Sequence, residues 1–374
     1  MQRISILLTL AVVGVAPSVN ASVIVPTYQI TSLGTLGGTS SAAYSINNHG
    51  AVTGIATTAT GQEIAFLHDG SVMMALPLGN GAFMSSGARI NESGFVAGTT
   101  FFGSRAQATY WNSVDHYLSN FGGTEGSSSG LNNLGQVVGT SQFTDGHAEA
   151  FFWNGSQMQA LGLLPGGDWS SATSINNSGQ IVGSATNSTG AFRAFIWTAN
   201  GGMQQIGSLG GGNSNALDIN DAGTIIGSSQ IPYGWTHAFR SMGGIIADLG
   251  TLGGGNSYAY GLNNANDVVG YSDDADGLNR AFLFRNGALI DLNAYLLNNS
   301  GWTLEQAYDI NDQGQIVGVG TYNGMRTAFR LDPFTPTAGS PGTAPATTPE
   351  PATLLAFLTA GGAAIACRSK LKIR

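Results

Sequence analysis

The sequence predicts an all-β protein: a seven-bladed β-propeller of ~44-residue repeats closed by an N-terminal strand, with a transmembrane helix at the C-terminus. Three observations carry this. The stretch Ser174-Ile-Asn-Asn-Ser-Gly-Gln-Ile-Val-Gly183 has six near-copies, and the first asparagines of all seven (Asn47, Asn91, Asn132, Asn176, Asn220, Asn263 and Asn311) stand 44, 41, 44, 44, 43 and 48 residues apart. A period of ~40 to 50 residues assembled from short strands is that of a propeller blade. Only 9% of residues are charged while 56 are glycine, a composition rich in turns and poor in helix formers, and 42% hydrophobic residues suffice for a core.

Each copy specifies a hairpin. Ile175 ends one alternating run and Ile181-Val182 opens the next, with Asn176 and Gly179 at the corners of a type I turn closed by a left-handed residue. Six copies keep that glycine, and the seventh has Asn266, the next-best residue for a left-handed backbone.

In the fourth copy four strands are expected, at 171–175, 180–185, 192–197 and 203–206. The third recurs as an Ala-Phe pair: Ala65-Phe66, Ala150-Phe151, Ala194-Phe195, Ala238-Phe239, Ala281-Phe282 and Ala328-Phe329. Four residues before each turn asparagine stands a small residue (Ala43, Gly87, Ser128, Ala172, Ala216, Ala259, Ala307), and just before it Ile or Leu. Strict alternation sends these two to opposite faces, and an invariant small side chain suits a crowded inner strand. The last copy stops after its third strand, whereas Tyr28 to Leu33 matches a fourth strand, so an N-terminal strand is expected to complete the last blade and remove an open edge. The propeller then covers residues 28–332.

The two ends differ from the repeats. Residues 1–21 have the charge (Arg3), apolar stretch (Ile4 to Val15) and small-residue site (Val19-Asn20-Ala21) of a secretory signal. Residues 333–348 form a Pro, Thr, Ala, Gly and Ser spacer. In 349–374, Pro349-Glu350-Pro351 precedes an apolar run from Ala352 to Cys367 and a basic end with Arg368, Lys370, Lys372 and Arg374, which places that end in the cytoplasm and the rest outside. The single cysteine, Cys367, excludes a disulfide or thiolate site in the exported part. Without Arg3, the four tail cations and Glu350, eight arginines face twenty acids, a net charge of −12, which makes nucleic acid and anionic membrane surfaces poor partners.

The tripartite end closely resembles the PEP-CTERM sorting signal of Gram-negative bacteria. That resemblance implies processing by an exosortase-type enzyme, anchorage in the inner membrane before processing, and delivery to the cell surface or extracellular matrix. The repeats are similar to the HAF family of extracellular repeats through Leu249-Gly-Thr-Leu-Gly-Gly-Gly-Asn-Ser257, Gly261-Leu-Asn-Asn264, Val268-Val-Gly270, Arg280-Ala-Phe282 and His237-Ala-Phe239. This likeness implies no defined chemistry.

Candidate sites are few. Asp168-Trp169, and Tyr233 and Trp235 beside His237, depart from the repeat consensus and suit a stacking surface with polar flanks for a sugar; packing between blades is the plainer alternative. Asp273, Asp274 and Asp276, followed by Gly277, resemble the opening of a calcium loop but lack its terminal glutamate, so a solvated acidic turn competes with Ca²⁺ and no other cofactor is expected. Asp218, Asp221, Asp309 and Asp312 occupy turn positions of the repeat, which explains them structurally. The five histidines show no metal-ligand spacing, and no nucleophile elbow or phosphate cradle occurs. The expectation is a non-enzymatic surface or biofilm-matrix protein that binds or scaffolds extracellular polysaccharide. A glycan-active enzyme with acids from different blades meeting in the funnel is the alternative.

Overall fold

The computed structural model describes residues 26–297 and 301–334, and among these it is all β apart from one 3₁₀ turn, Leu292–Tyr295. That turn lies in the longest interval, from Asn263 to Asn311, and accounts for its extra residues. The segments expected as a signal (1–21) and as a sorting and transmembrane tail (349–374, with Pro349, Glu350 and Pro351), together with nearly all of the spacer, lie outside the described residues. Among the described residues no helix is long and apolar enough to cross a membrane.

Every repeat folds as an antiparallel four-stranded meander. In the fourth copy the strands are Ser170–Ile175, Ile181–Thr186, Phe192–Thr198 and Gly202–Gln205. The second and third meanders are joined into one eight-stranded sheet by a parallel bridge between Glu125 and Ala106. The last sheet is completed from the other end of the chain: Thr27–Gly34 pairs antiparallel with Met325–Phe334, Ile30 opposite Leu331. This strand is held by burial as well as by its ladder, since Tyr28 is fully buried among Val269, Leu283, Leu304 and Leu331. Four-stranded meanders set side by side and closed by strand exchange between the chain ends make the β-propeller arrangement.

The turns form as their residues dictate. In all seven the fourth residue donates its N–H to the carbonyl of the first, as Gly179 does to Asn176 at 3.1 Å and Asn266 to Asn263 at 3.1 Å. Gly179 has φ +75° and Asn266 +64°, the left-handed backbone the sequence pattern requires.

Alternation, however, is broken in each first strand. The register slips by one residue between positions four and two before the turn asparagine, between Ala172 and Ser174 for example, as it does in all seven repeats. This β-bulge reverses the side-chain parity. The small residue and the Ile or Leu therefore share a face instead of opposing one another: Ala172 and Ile175 lie in one core cluster with Phe195, and Ala43 and Ile46 in another with Phe66.

The bulge also brings backbones close together. A Cβ on Gly183, in the second strand, would fall on the carbonyl oxygen of Ser171 and lie 2.9 Å from Ala172 Cα and 3.0 Å from Phe195 Cε1. The equivalent position is glycine in every repeat, from Gly54 to Gly318, and each faces the same carbonyl. The recurring glycine of Val268-Val-Gly270 is thus a packing requirement of the bulge.

Two hydrogen bonds weld neighbouring meanders. The Ala N–H of the third-strand pair donates to a buried serine of the next repeat: Ala65 to Ser85, Ala150 to Ser170, Ala194 to Ser214, Ala238 to Ser257, and, closing the circuit, Ala328 to Ser41, all at 2.9–3.1 Å. Each turn asparagine donates its side-chain Nδ2 to the backbone carbonyl of the next one, 47 to 91, 132, 176, 220, 263, 311 and back to 47, at 3.0–3.2 Å. Its Oδ1 meanwhile accepts N–H groups of its own turn, and in Asn176, whose Nδ2 also donates to Gln180 Oε1, all four bonding directions have a use.

Candidate functional site

The first strand of each meander is the inner one, and the bulge aims the residue two before each turn asparagine at the axis. Those residues are Ser45, Arg89, Gly130, Ser174, Asp218, Gly261 and Asp309. Three of them meet: Arg89 Nη2 lies 3.2 Å from Asp218 Oδ1 and Nη1 3.5 Å from Asp309 Oδ2. The carboxylates are otherwise engaged. Asp218 accepts from Ser174 Oγ at 2.6 Å and Leu262 N at 3.2 Å; Asp309 accepts from Ser45 Oγ at 2.8 Å and Ile46 N at 3.0 Å. One guanidinium between two buried carboxylates leaves an excess negative charge. Burial therefore pushes Asp309 up to about 6; Arg89 pulls the other way and Asp218 adds to the rise. For Arg89, burial opposes the charge but the two aspartates outweigh it and raise its pKa.

Above this cluster lies a second circuit. The residue after each turn asparagine (Asn48, Glu92, Asn133, Asn177, Asp221, Asn264, Asp312) accepts, through its side chain, the backbone N–H of its counterpart in the preceding repeat at 2.9–3.2 Å. Together the two layers line an axial cavity of about 180 Å³. Its polar atoms are mostly spent on one another, and it is smaller than the ~300–1,000 Å³ of ordinary ligand pockets. The sequence pattern assigned Asp218 and Asp309 to the turns; that Arg89, from a third repeat, joins them is visible only once the ring closes.

The opposite face, formed by the loops between second and third strands and those between repeats, holds a larger concavity. A groove of about 600 Å³ runs over the third repeat, lined by Ala106, Glu125, Gln142, His147, Asp168 and Trp169 among others. Here the predicted Asp168 and Trp169 stand together. Trp169 rests edge-on against Phe192, ring centroids 5.5 Å apart. Asp168 accepts from Thr186 Oγ1 at 2.8 Å through Oδ1 and is otherwise exposed. His147, which the sequence did not single out, stacks on Phe143 at 4.3 Å, and Phe143 on Phe121 at 4.6 Å. Its Nδ1 lies 2.5 Å from Asp145 and its Nε2 3.4 Å from Glu149. The hydrogen bond to Asp145 is the main cause of a raised imidazole pKa.

Tyr233, Trp235 and His237 do not join this groove; they stand two repeats further round. Trp235 occupies the place that His147 holds in the third repeat, each fifteen residues after its turn asparagine. Its indole covers Gly255, where a Cβ would lie 2.5 Å from Cε3, while Tyr233 is 88% exposed. His237 Nδ1 is paired with Asp248 at 2.8 Å. The aromatic that leaves the groove open at the third repeat thus fills its counterpart at the fifth.

The calcium expectation is not met by the geometry. Asp274 Oδ2 holds Arg280 Nε at 2.8 Å and its Oδ1 caps the N–H groups of Asp276 and Leu278, while Asp273 Oδ2 accepts from Asn256. Asp273, Asp274 and Asp276 do not converge, because alternation along the strand Val268–Asp274 sends the first two to opposite faces. Among the described residues no group of three or more His, Cys, Asp or Glu is arranged to hold a metal.

No protein-family model matches this sequence, and neither does any curated protein. The fold is shared with solved structures at low identity. The puromycin-hydrolyzing peptidase of Mycobacterium tuberculosis is 11% identical with a TM-score of 0.55, over 83% of this chain and 55% of its own length. The present chain therefore spans about half of that protein. The β-propeller domain of the Trilobed protease from Pyrococcus furiosus is 12% identical (TM-score 0.49, 67% of this chain and 81% of that one), and virginiamycin B lyase from Staphylococcus aureus 11% (0.48, 82% and 99%).

Proposed function

We propose that this chain is an exported, non-enzymatic repeat protein that binds or scaffolds extracellular polysaccharide, its seven meanders serving as the blades of a seven-bladed propeller. The observation that carries the reading is the groove beside Trp169. At about 600 Å³ it has the size of a sugar-binding site, with an indole for stacking and polar side chains for hydroxyl groups. The acidic, lysine-free body and the resemblance of its tail to a surface-sorting signal support an extracellular setting. A glycan array probed with the purified full chain, followed by product analysis on each hit, tests it. Binding without release of reducing ends is the expected result, and absence of binding to any exopolysaccharide refutes it.

A second reading, a glycan-active enzyme, draws support from Asp309. An axial carboxyl near pH 6 has the acidity of a general acid. Release of reducing ends that is lost in Asp309→Asn would establish this alternative in place of the first.

A further inference from the structure

We infer that the groove over the third repeat recognises glycan units bearing a free ammonium, that is, de-N-acetylated hexosamines, a selectivity that rests on the polysaccharide-binding reading above. The argument begins with which charges are spent. Asp145 and Glu149 are both turned to the His147 ring, at 2.5 Å and 3.4 Å, and the hydrogen bond to Asp145 raises the imidazole pKa, so these two carboxylates are engaged within the protein. Two lining carboxylates are not. The exposed carboxylate of Glu125 has no hydrogen-bond or ion-pair partner among the described residues, and Asp168 uses Oδ1 on Thr186 and leaves Oδ2 free.

No arginine or lysine lines the groove. Arg105, the neighbour in sequence of the lining Ala106, is exposed and makes no ion pair among the described residues. Even counting His147 as a cation, the side chains Glu125, Asp145, Glu149 and Asp168 leave the site negative. An anionic sugar is repelled there, and a neutral sugar uses the indole but not the charge.

An aminohexose uses both. Its pyranose C–H face stacks on Trp169, and the equatorial ammonium at C2, projecting from the ring edge, can donate to the free oxygens of Asp168 or Glu125 in a charge-assisted hydrogen bond. The edge-on packing of Trp169 on Phe192 and the ladder of strand Ser170–Ile175 beside it fix the ring, so the platform is preorganised. Acetylation of the amine removes the charge, adds bulk at the carboxylate and cancels the gain.

Three hexasaccharides with the same β-1,4 backbone and different C2 groups separate the possibilities: glucosamine hexamer, its N-acetylated form and cellohexaose. Calorimetric titration of the full chain in dilute, mildly acidic buffer should show the glucosamine hexamer bound about tenfold more tightly than the other two. The preference should fade as salt screens it. Glu125→Gln and Asp168→Asn should each cut the preference several-fold at unchanged melting temperature, and Trp169→Ala should weaken all three ligands. Equal affinity for the three, or a preference that survives in Glu125→Gln/Asp168→Asn, overturns the inference while leaving polysaccharide binding intact. No affinity for any of the three or for any other glycan removes the wider reading and this one together.

Discussion

Replacing Arg89 by leucine tests what holds the axis together. The substitution keeps a comparable apolar stem but leaves Asp218 and Asp309, both under a tenth exposed, facing each other with no counter-charge. Breaking a buried ion pair in this way costs about 3–5 kcal/mol. For a body of this size that is a fall in melting temperature on the order of 10 °C. The pH dependence has a definite sign. Asp309 has a folded-state pKa of about 6 against 3.8 for the free side chain, so the folded protein holds that proton more tightly than the unfolded chain does. Its contribution therefore favours the fold at low pH and is lost as pH rises from about 4 to about 6, by up to about 3 kcal/mol. Exposed carboxyls such as Asp69, held down to about 2 by N–H groups of its own turn, act in the opposite sense below pH 4. Denaturant unfolding of wild type and Asp309→Asn at several pH values isolates the term as a difference. Asp309→Asn, which keeps the Arg89–Asp218 pair, should be at least as stable as wild type at pH 7 and less favoured relative to it near pH 4. A wild-type minus Asp309→Asn difference that does not change with pH, or an Arg89→Leu variant within 1 kcal/mol of wild type, refutes the reasoning.

Three further outcomes are expected. Tyr28→Ala, which empties a fully buried position on the closing strand, should cost about 3–5 kcal/mol in cooperative unfolding, whereas Tyr28→Phe should cost little because the buried hydroxyl has no partner among the described residues; equal effects of the two would detach ring closure from packing. Gly183→Ala should destabilise by about 2 kcal/mol or more through its collision with the Ser171 carbonyl, while Gly61→Ala, at φ +82° with open space around it, should cost about 1 kcal/mol, and differential scanning calorimetry should rank them in that order. If the C-terminal resemblance reflects sorting, Glu350→Ala or Pro351→Ala should retain the precursor in the inner membrane, and fractionation showing equal surface delivery would contradict it.

The repeat period, the turn chemistry and the phase shift between the ends were legible in the sequence because each depends on residues close together in the chain. Asn176 and Gly179 specify their turn whatever surrounds them, and the spare strand near Tyr28 announces the missing strand at the other terminus. The bulge was not legible, since Ala172 and Ile175 look like residues on opposite faces until a partner strand reveals the extra residue between them. Nor was the meeting of Arg89, Asp218 and Asp309, which come from three different repeats far apart in sequence and become neighbours only because the ring returns every second-before-turn position to one axis. Asp168 and Trp169 were found as breaks in the repeat, yet His147, at an unexceptional place in its own loop, gains its role from Phe143 and from the next repeat's loop. Local backbone preference, in short reach of its own neighbours, determined the elements and their order; burial, charge and the equivalence of positions around a closed ring determined which side chains meet, and those depend on the whole tertiary structure at once.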